Sequence, residues 1–386
     1  MVFAFLNGYQ SAMMAPTEIL AEQHFDTMKR FLEPMGIPIA LLTGSTKAAE
    51  KRAVKAALAD GSVQLCIGTH ALLTEDVAFS ALGLVITDEQ HRFGVAQRAK
   101  LADKSRNAHV LVMSATPIPR TLSLIIYGDL QLSVIDELPP GRQPIDTFVI
   151  SGAKRERALG FLRGLLDQGR QAYIICPLIE MGEVDTGLRP AREYADFLSE
   201  KDLKGYRLSL LHGKMKAADK DSIMRSFSRG EIQVLVSTTV VEVGVDVPNA
   251  TVIMIENAER FGLSQLHQLR GRVGRGKEKS YCILVSDAKG ETAKGRLSMM
   301  KQTGDGFKLA EYDLKSRGPG DFFGYRQHGL PELKIADLSD NMDTMKQARE
   351  CAESILERDP ELSLPEHAAL GHLAKAMLEA VGTRPN

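Results

Sequence analysis

Two adjacent carboxylates, Asp88 and Glu89, follow directly on the apolar run 84–87, and Gln90 and His91 come next. A hard Mg²⁺ ion prefers oxygen ligands, and a neighbouring carboxylate can orient and activate a water molecule in phosphoryl transfer. The pattern predicts a catalytic group in which Asp88 coordinates the ion, directly or through water, and Glu89 positions and activates the attacking water. Acids after a strand are common, so an ordinary surface turn is the alternative for this pair alone.

A second apolar run, 110–113, is followed by the small hydroxyl residues Ser114 and Thr116. Hydroxyl groups can form hydrogen bonds to carboxylates at neighbouring strand ends. We therefore expect Ser114 and Thr116 to couple the acidic group to a bound polymer. A simple Thr-Pro turn is the alternative.

Arginines and glycines alternate in the segment 268–275, which begins at Gln268 and contains Arg272 and Arg275. Glycines leave room for the phosphates of a nucleotide or nucleic acid to approach. Each planar guanidinium group can donate two parallel hydrogen bonds to the oxygens of one phosphate. The segment predicts that Arg272 and Arg275 stabilise charge on a transferring phosphoryl group. A solvated basic turn is the alternative.

The string Gly271 to Lys277 matches the first part of a phosphate-binding loop, G-x-x-x-x-G-K. Its next residue is Glu278, where the motif requires Ser or Thr, and the segment follows a predicted helix instead of a strand. We therefore reject it as a phosphate-binding loop. The sequence contains no other G-x-x-x-x-G-K-[ST] string, so a nucleotide hydrolase of these residues lacks its main phosphate cradle.

The elements that position these residues follow an α/β pattern, in which short apolar runs alternate with amphipathic stretches. In the first part the predicted strands are 11–15, 39–42, 64–68, 84–87 and 110–114, and the predicted helices are 17–31 and 47–59. Ligands of open parallel sheets bind at the carboxyl ends of the strands. The chemistry is therefore expected in the loops that follow the strands.

A helix-breaking and strand-breaking segment, 137–144, predicts a linker, after which the alternation resumes. The second set of predicted strands is 171–176, 207–211, 233–237, 251–256 and 280–285, and the helices are 154–168, 191–200, 216–229 and 264–269. Beyond about residue 290 the pattern is helical. We predict two tandem α/β domains with parallel sheets, 1–138 and 139–289, followed by helical segments and a C-terminal helical tail in 290–386.

Length and composition limit the class of protein. The 386 residues are 44% apolar and can bury two ordinary cores, and no apolar run is long enough to cross a membrane. We expect a soluble cytoplasmic protein whose four separated cysteines are buried free thiols. The formal net charge is -1, so a nucleic acid would be held by local loops and not by a global positive field.

Taken together and in this order, the motifs resemble those of the superfamily 2 helicases, and the strings themselves are most similar to the RecG family. The matching strings are 15–24, 68–72, 88–95, 114–120, 211–215, 237–246 and 268–275. Residues 313–327 look like the translocation motif that the RecG family shares with transcription-repair coupling factors. Gln90-His91 after the acids favours RecG over the coupling factors.

The resemblance implies that both domains are RecA-like, that a helical hairpin and C-terminal helices follow them, and that the protein is a motor that uses ATP and Mg²⁺. It makes Asp88 the magnesium-linked acid and Glu89 the water-activating residue, and it adds Gln90 and His91 to the catalytic group. It adds nucleotide-side contacts from Asp246, Gly244, Gln268, Ser114 and Thr116. It assigns DNA contacts to Thr17, Thr43, Thr69, His70, Arg120, His212, Gly213 and Thr238, and coupling to the duplex to Arg317, Arg326 and Gln327. A salt-bridged hairpin without DNA contact is the alternative for the last three.

The resemblance also implies branched double-stranded DNA as the partner, at stalled forks and Holliday junctions, with the protein acting as a monomer near the nucleoid and not at a membrane. A contact with single-stranded-DNA-binding protein is expected for the full-length protein. Two rival functions are a coupling-factor-type translocase and a non-catalytic DNA-binding scaffold. Retention of Asp88, Glu89, Arg272 and Arg275 together argues against the scaffold.

Family members carry a strand, a phosphate-binding loop and a helix just before the string 15–24, and an N-terminal wedge domain ahead of them. The sequence begins at Met1 without this text. We therefore expect a motor that lacks its wedge and phosphate-binding loop, and that hydrolyses ATP poorly on its own because the loop supplies much of the positioning in phosphoryl transfer.

Overall fold

A computed structural model describes residues 1–89, 101, 104, 108–115, 131–139, 141–177, 191–238, 246–317 and 342–382. The chain forms two compact units. One joins Met1–Thr116 to Pro139–Gly304, and the other joins Pro117–Leu138 to Asp305–Asn386. Within the first unit we call Met1–Thr116 lobe 1 and Pro139–Gly304 lobe 2. Each lobe is built around its own parallel sheet, as the RecA-like prediction requires.

Lobe 1 contains a five-stranded sheet in the spatial order β2-β3-β1-β4-β5. Its strands are β1 Gln10–Met14, β2 Ile39–Leu42, β3 Leu65–Gly68, β4 Leu82–Thr87 and β5 His109–Val112. Its helices include α1 Val2–Leu6, α2 Glu18–Leu32 and α3 Ala48–Ala59. The central strand β1 is buried along its whole length, which is why the sequence there is a continuous apolar run and not an alternating one.

Lobe 2 contains a six-stranded sheet in the order β6-β11-β10-β7-β9-β8. Its strands are β6 Ile145–Ile150, β7 Gln171–Ile175, β8 Leu208–Leu211, β9 Val234–Ser237, β10 Ala250–Ile255 and β11 Ser280–Val285. Its helices include α4 Arg155–Asp167, α5 Ala191–Phe197, α6 Ala217–Ser228, α7 Leu263–Arg270 and α8 Glu291–Gln302. All strand pairs in both sheets are parallel, so the carboxyl ends of each sheet lie along one edge.

The predicted strands lie within two residues of the observed ones, but the prediction missed β6. The segment 137–144 was interpreted as a linker, and the strand Ile145–Ile150 starts immediately after it. β6 is an edge strand that pairs only with β11, and Phe148 and Val149 are 46% and 37% exposed. An edge strand lacks the uniform burial that makes a central strand visible in the sequence.

The two lobes repeat the same polar tie at the start of their central strands. In lobe 1 the buried Gln10 Nε2 donates to the carbonyl oxygens of Leu58 and Val63, at 2.9 and 2.7 Å. In lobe 2 the buried Gln171 Nε2 donates to the carbonyl oxygens of Phe227 and Ile232, at 2.6 and 2.8 Å. Each glutamine joins its strand to the end of a helix and to the loop that follows that helix. The two lobes therefore share this hydrogen-bonding arrangement as well as the parallel sheet.

The second unit is described at the helices α9 Gly306–Arg317, α10 Met342–Arg358 and α11 Ala368–Gly382. Between the last two helices, the carboxylate of Asp359 accepts hydrogen bonds from the N–H groups of Ser363 and Leu364, both at 2.9 Å. His367 Nδ1 lies 3.0 Å from the same carboxylate. These bonds lower the pKa of Asp359 to about 2, with the Leu364 N–H bond as the largest cause.

The buried-thiol prediction is confirmed for three of the four cysteines and wrong for one. Cys66, Cys176 and Cys282 are buried, and burial raises the pKa of each thiol to about 12. Cys351 is exposed on α10. No helix in the described residues is both long enough and apolar enough to cross a bilayer.

Candidate functional site

The acidic pair lies at the carboxyl end of β4, as predicted. The N–H group of Asp88 donates to the carbonyl oxygen of Met14 in the neighbouring strand at 3.0 Å, which fixes its backbone beside β1. Its side chain has two further partners: Glu89 N–H lies 2.9 Å from Oδ1, and His24 Nε2 lies 2.8 Å from Oδ2. Glu89 has φ 49°, a left-handed conformation that non-glycine residues rarely adopt and that accumulates at functional sites.

His24 is a residue to which the sequence interpretation gave no role. It lies on α2, and its ring contacts Asp88 at the carboxyl end of β4. The side chains of His24 and Asp88 are 24% and 19% exposed. A partner on this side orients the carboxylate while leaving part of it accessible. Spacing could not predict the pair, because the contact joins residues from separate elements.

The site has acidic oxygens for a metal ion but no complete set of protein ligands. In the part of the chain that the structure describes, no group of three or more His, Cys, Asp or Glu side chains is arranged to hold a metal. Mg²⁺ usually keeps several waters and binds through one or two carboxylates together with substrate phosphates. Asp88 fits that role, and a nucleotide and water would have to supply the remaining oxygens.

Two arginines of lobe 2 lie near enough to a buried tyrosine for their charges to act on it. Arg275 Nε donates to the carbonyl oxygen of Gly271 at 3.2 Å, and its Nη1 lies 3.7 Å from Asp246 Oδ1. Arg272 is largely buried, at 9% exposed. Burial raises the pKa of Tyr173 on β7, whereas the nearby charges of Arg272 and Arg275 oppose the rise. Gly274 and Gly276 of the arginine segment pack closely against Ile145 and Pro248, at the starts of β6 and β10. Arg272, Arg275 and Asp246 therefore lie at the amino edge of the second sheet, and the expectation that the site residues follow strands is wrong for them.

A third arginine of the same segment, Arg270, holds the fold together. It is 4% exposed, and its Nη1 donates to the carbonyl oxygens of Met300 and Thr303 at 2.9 and 2.8 Å. Its Nη2 lies 2.9 Å from His267 Nδ1. Burial lowers its pKa. Arg270 thus ties α7 to the end of α8, and Gln268, between these residues, is half buried.

Two loops of the same construction follow β2 and β8. Loop 1 is 43–47, Thr-Gly-Ser-Thr-Lys, and loop 2 is 212–216, His-Gly-Lys-Met-Lys. Each runs into a helix whose first three residues are Ala-Ala-Glu or Ala-Ala-Asp, followed by lysine. The residues that precede the two helices, Lys47 and Lys216, share φ −62° and ψ 147°. The loops are therefore equivalent parts of the two lobes.

The internal bonds of the loops match as well. In loop 1, Lys51 Nζ donates to the carbonyl oxygen of Gly44 at 2.7 Å, and in loop 2 Lys220 Nζ donates to that of Gly213 at 2.7 Å. Neither lysine was singled out from the sequence. The repeated strings 42–51 and 211–220 were the signal that could have found both.

A buried threonine stands beside each loop. Thr69 N–H donates to the carbonyl oxygen of Leu42 at 3.3 Å, and Thr238 N–H donates to that of Leu211 at 3.2 Å. The two side chains are 2% and 4% exposed, and neither Oγ1 has a hydrogen-bond partner among the described residues. Buried hydroxyls are almost always paired. Two equivalent unpaired hydroxyls therefore mark equivalent places for an external acceptor.

The structure gives three other predicted DNA contacts an ordinary setting. Thr17 caps α2, where its Oγ1 accepts the N–H of Leu20 at 3.4 Å. His70 is exposed at the start of a short 3₁₀ turn, beside Thr69. Thr43 is buried, and its hydroxyl lies 3.1 Å from both Ser45 Oγ and Thr46 Oγ1. Their contacts with DNA stay predictions.

A buried ionic cluster that the sequence did not suggest lies at the carboxyl end of β10. Glu256 is 4% exposed, and Arg155 binds it through Nε and Nη2 at 2.9–3.2 Å. Tyr194 Oη donates to Glu256 Oε1 at 2.6 Å. The hydrogen bonds to Glu256 raise the pKa of Arg155, and burial raises that of Tyr194. The cluster fixes the strand end from which the chain continues to the arginine segment.

Several predicted site residues lie outside the described part of the chain: Gln90, His91, Thr116, Arg120, Gly244, Arg326 and Gln327. Arg317 is described only as the last residue of α9, without its side chain. Ser114 is described and exposed after β5. Their predicted roles stay untested by the structure.

Family models match three consecutive parts of the chain. Residues 2–125 match the DEAD/DEAH box helicase model, and residues 154–277 match the helicase conserved C-terminal domain. Residues 303–381 match the C-terminal part of domain 3 of the ATP-dependent DNA helicase RecG. The first two models correspond to the two lobes.

Curated relatives extend the similarity over nearly the whole chain. A protein of Synechocystis named ATP-dependent DNA helicase RecG is 52% identical over 365 residues, which cover 94% of this chain and 44% of the relative. The chain belongs to the RecG family. The Bacillus subtilis RecG protein is 50% identical over 95% of this chain and 54% of its own length. The chain thus spans about half the length of these curated RecG relatives.

A solved structure of RecG bound to a three-way DNA junction is also similar. It is 46% identical with a TM-score of 0.72, over 88% of this chain and 44% of that one. The more distant helicase Mss116p, bound to single-stranded RNA, is 18% identical with a TM-score of 0.56, over 81% of this chain and 67% of that one. That distant likeness shows the fold alone.

Proposed function

We propose that this chain carries the motor of an ATP-dependent DNA helicase that translocates on double-stranded DNA and remodels branched junctions. The observation that carries the proposal is the matched pair of loops, each beside a buried threonine hydroxyl that has no partner among the described residues. The named activity of the RecG relatives supports it.

The proposed DNA contacts are made to phosphates. Loop 1 with Thr69 acts in lobe 1, and loop 2 with Thr238 acts in lobe 2. Hydroxyl and backbone N–H donors fix the position of a nucleic-acid strand without reading its bases. Substrate choice would then rest on the shape of the branch. Because the net charge is only -1, the affinity comes from these local donors and their neighbouring lysines.

The proposed nucleotide contacts use residues of both lobes. Asp88 would hold Mg²⁺, and Glu89 would orient the water that attacks the terminal phosphate. Arg272 and Arg275 would stabilise the charge on that phosphate, with Gln268 and Asp246 beside them. When bound, ATP would supply the phosphoryl group that is transferred to water, and its hydrolysis would drive movement of the two lobes. The acids and arginines fit this group, whereas the sequence contains no phosphate-binding loop string.

The biological setting follows from the RecG relationship. We place the protein at stalled forks and Holliday junctions in replication restart, recombination and repair, as a cytoplasmic monomer near the nucleoid. A contact with single-stranded-DNA-binding protein belongs to the full-length protein. The match of residues 303–381 to the RecG model favours this function over that of a coupling factor.

DNA binding tests the first part of the proposal. The chain is titrated against a labelled three-way junction and against linear duplex of equal total length, at one fixed salt concentration. Fluorescence anisotropy should give tighter binding to the junction. Because affinity for DNA falls steeply with salt, the comparison is meaningful only at matched ionic strength. The proposal would be contradicted if the chain bound neither the junction nor the linear duplex.

ATP hydrolysis tests the second part. We expect this 386-residue polypeptide to hydrolyse ATP at a small fraction of the rate of the full-length Bacillus subtilis relative, with junction DNA present in both assays. The reason is that backbone amides and the lysine of a phosphate-binding loop supply much of the positioning in phosphoryl transfer. A rate close to that of the relative would show that the cradle is dispensable.

A further inference from the structure

Glu18, at the start of α2, lies in contact with loop 1. Its Oε1 accepts the N–H of Ser45 at 3.0 Å. A Cβ added at Gly44 would lie 2.7 Å from the same oxygen, so the carboxylate sits directly against the glycine. Gly44 and Ser45 are themselves exposed. A negative group thus occupies the exposed N–H side of a loop that precedes a helix, where an anion is favoured.

The position has a counterpart in lobe 2 that differs in charge. Ser45 of loop 1 corresponds to Lys214 of loop 2. Among the described residues, no carboxylate accepts the N–H of Lys214. One loop therefore carries a cation where the equivalent loop is in contact with an anion.

Lobe 2 also reaches the helix that carries Glu18. One turn further along α2, Glu22 accepts hydrogen bonds from Arg225 Nη2 on α6, at 2.8 and 3.0 Å. Asp221, one turn before Arg225, has a raised pKa, chiefly because of its burial and secondly because of the charge of Glu18. The repulsion between these two acids disfavours movement of Glu18 towards lobe 2 and so favours its contact with loop 1.

We propose that Glu18 competes with a DNA phosphate for loop 1, so that lobe 1 holds the DNA backbone only after this carboxylate has moved aside. The inference rests on the proposed function, in which loop 1 is a phosphate contact. A phosphate can reach the Ser45 N–H only when a charge-assisted hydrogen bond is broken, and a like charge remains nearby. Binding of a phosphate by lobe 1 therefore requires that Glu18 move. Because Arg225 and Asp221 of lobe 2 interact with Glu22 and Glu18 on α2, this movement is coupled to the position of lobe 2.

The test is a binding comparison at fixed salt with the whole 386-residue chain and labelled three-way junction DNA. Glu18→Gln should tighten binding about three- to tenfold, because a competitor and a like charge are removed. Glu18→Ser, whose side chain is too short to reach loop 1, should act in the same direction. Glu50→Gln is the matched control, since Glu50 is exposed on the following helix and loses the same charge.

A double-mutant cycle separates a local effect from a change in overall charge. Gly44→Ala places a methyl group where the carboxylate lies, and so blocks the site to phosphate as well. In that background Glu18→Gln should no longer tighten binding. Equal tightening in both backgrounds, or equal effects of Glu18→Gln and Glu50→Gln, would overturn the inference.

The outcomes also distinguish this inference from the proposed function. If the wild-type chain binds the junction and Glu18→Gln does not bind more tightly, competition by Glu18 is wrong while DNA binding stands. If neither the wild-type chain nor any variant binds DNA, the function and the inference both fail. Thermal melting of each variant confirms that it is folded.

Discussion

Thr69 and Thr238 carry a cost that the fold itself does not explain. A buried hydroxyl without a partner destabilises a protein by about 1–3 kcal/mol relative to a paired one. Among the described residues neither threonine hydroxyl has a partner, and the two lie at equivalent places at the carboxyl ends of β3 and β9. A contact with a ligand offsets such a cost in the bound state, which makes the two hydroxyls candidates for function instead of packing faults.

Replacement of either hydroxyl by a methyl group should separate stability from binding. Thr69→Val and Thr238→Val are each expected to leave the free energy of unfolding unchanged or to raise it by about 1 kcal/mol, because an unpaired polar group is removed. Each should weaken junction binding about three- to tenfold through loss of one phosphate contact. Urea denaturation and fluorescence anisotropy measure the two effects.

Thr251 provides the matched control for this experiment. Among the described residues its Oγ1 is also buried without a partner, but it lies near the start of β10, at the opposite edge of the sheet from Thr238. Thr251→Val should change stability in the same direction and leave DNA affinity unaltered. Equal losses of affinity in all three variants would show that the effect is not a local contact.

The acidic pair shows how far single residues could be predicted. The apolar run before Asp88 and Glu89 sufficed to place them at a strand end, because burial of a parallel strand leaves a readable pattern. The hydrogen bond from His24 and the left-handed φ of Glu89 were not predictable. Both depend on how separate elements pack and not on local spacing.

Loop 1 and loop 2 show what could be predicted at the scale of elements. The resemblance identified the motif 211–215, which overlaps loop 2, and a DNA contact at Thr43 of loop 1, but it did not relate the two loops. The structure adds that they are equivalent parts of the two lobes. The same comparison identifies Lys51 and Lys220, whose amines hold Gly44 and Gly213. β6 was missed because a partly exposed edge strand does not give a continuous buried run.

The turn between α10 and α11 should depend on acid pH. Asp359 has a folded pKa of about 2, below the unfolded value of about 3.9, so its ionised form is favoured by folding. Its contribution is therefore complete above about pH 4 and is lost as the pH falls towards 2. Hydrogen exchange should show declining protection of residues 342–382 over this range.

Asp359→Asn isolates this group from the other carboxylates that titrate in acid. The variant should be less protected than the wild type at pH 5, because a charge-assisted acceptor of the Ser363 and Leu364 N–H groups is lost. The difference between the two proteins should shrink as the pH approaches 2. A difference that stays constant from pH 5 to pH 2 would mean that ionisation of Asp359 does not stabilise the turn.

The architecture of the whole molecule is easier to predict from the sequence than its sites are. The two parallel sheets lie in one compact unit. Asp88, Thr69 and Thr238 lie at the carboxyl ends of strands, whereas the segment with Arg272 and Arg275 lies at the amino edge of the second sheet. The alternating sequence pattern was sufficient to predict this architecture, and the fold-class prediction is confirmed. The proposed boundaries at 138 and 289 stay predictions, because neither the sheets nor the family models define them to the residue.

Burial of three of the four thiols makes the chain selective towards electrophiles. The thiolate is the reactive form, so Cys66, Cys176 and Cys282, each with a pKa of about 12, should be inert at pH 7, whereas the exposed Cys351 should react. A maleimide dye should therefore modify about one thiol per native chain, and all four after unfolding. Labelling of more than one thiol in the native chain would contradict the burial. A fluorophore can thus be attached to α10 without mutation, far in sequence from loop 1 and loop 2.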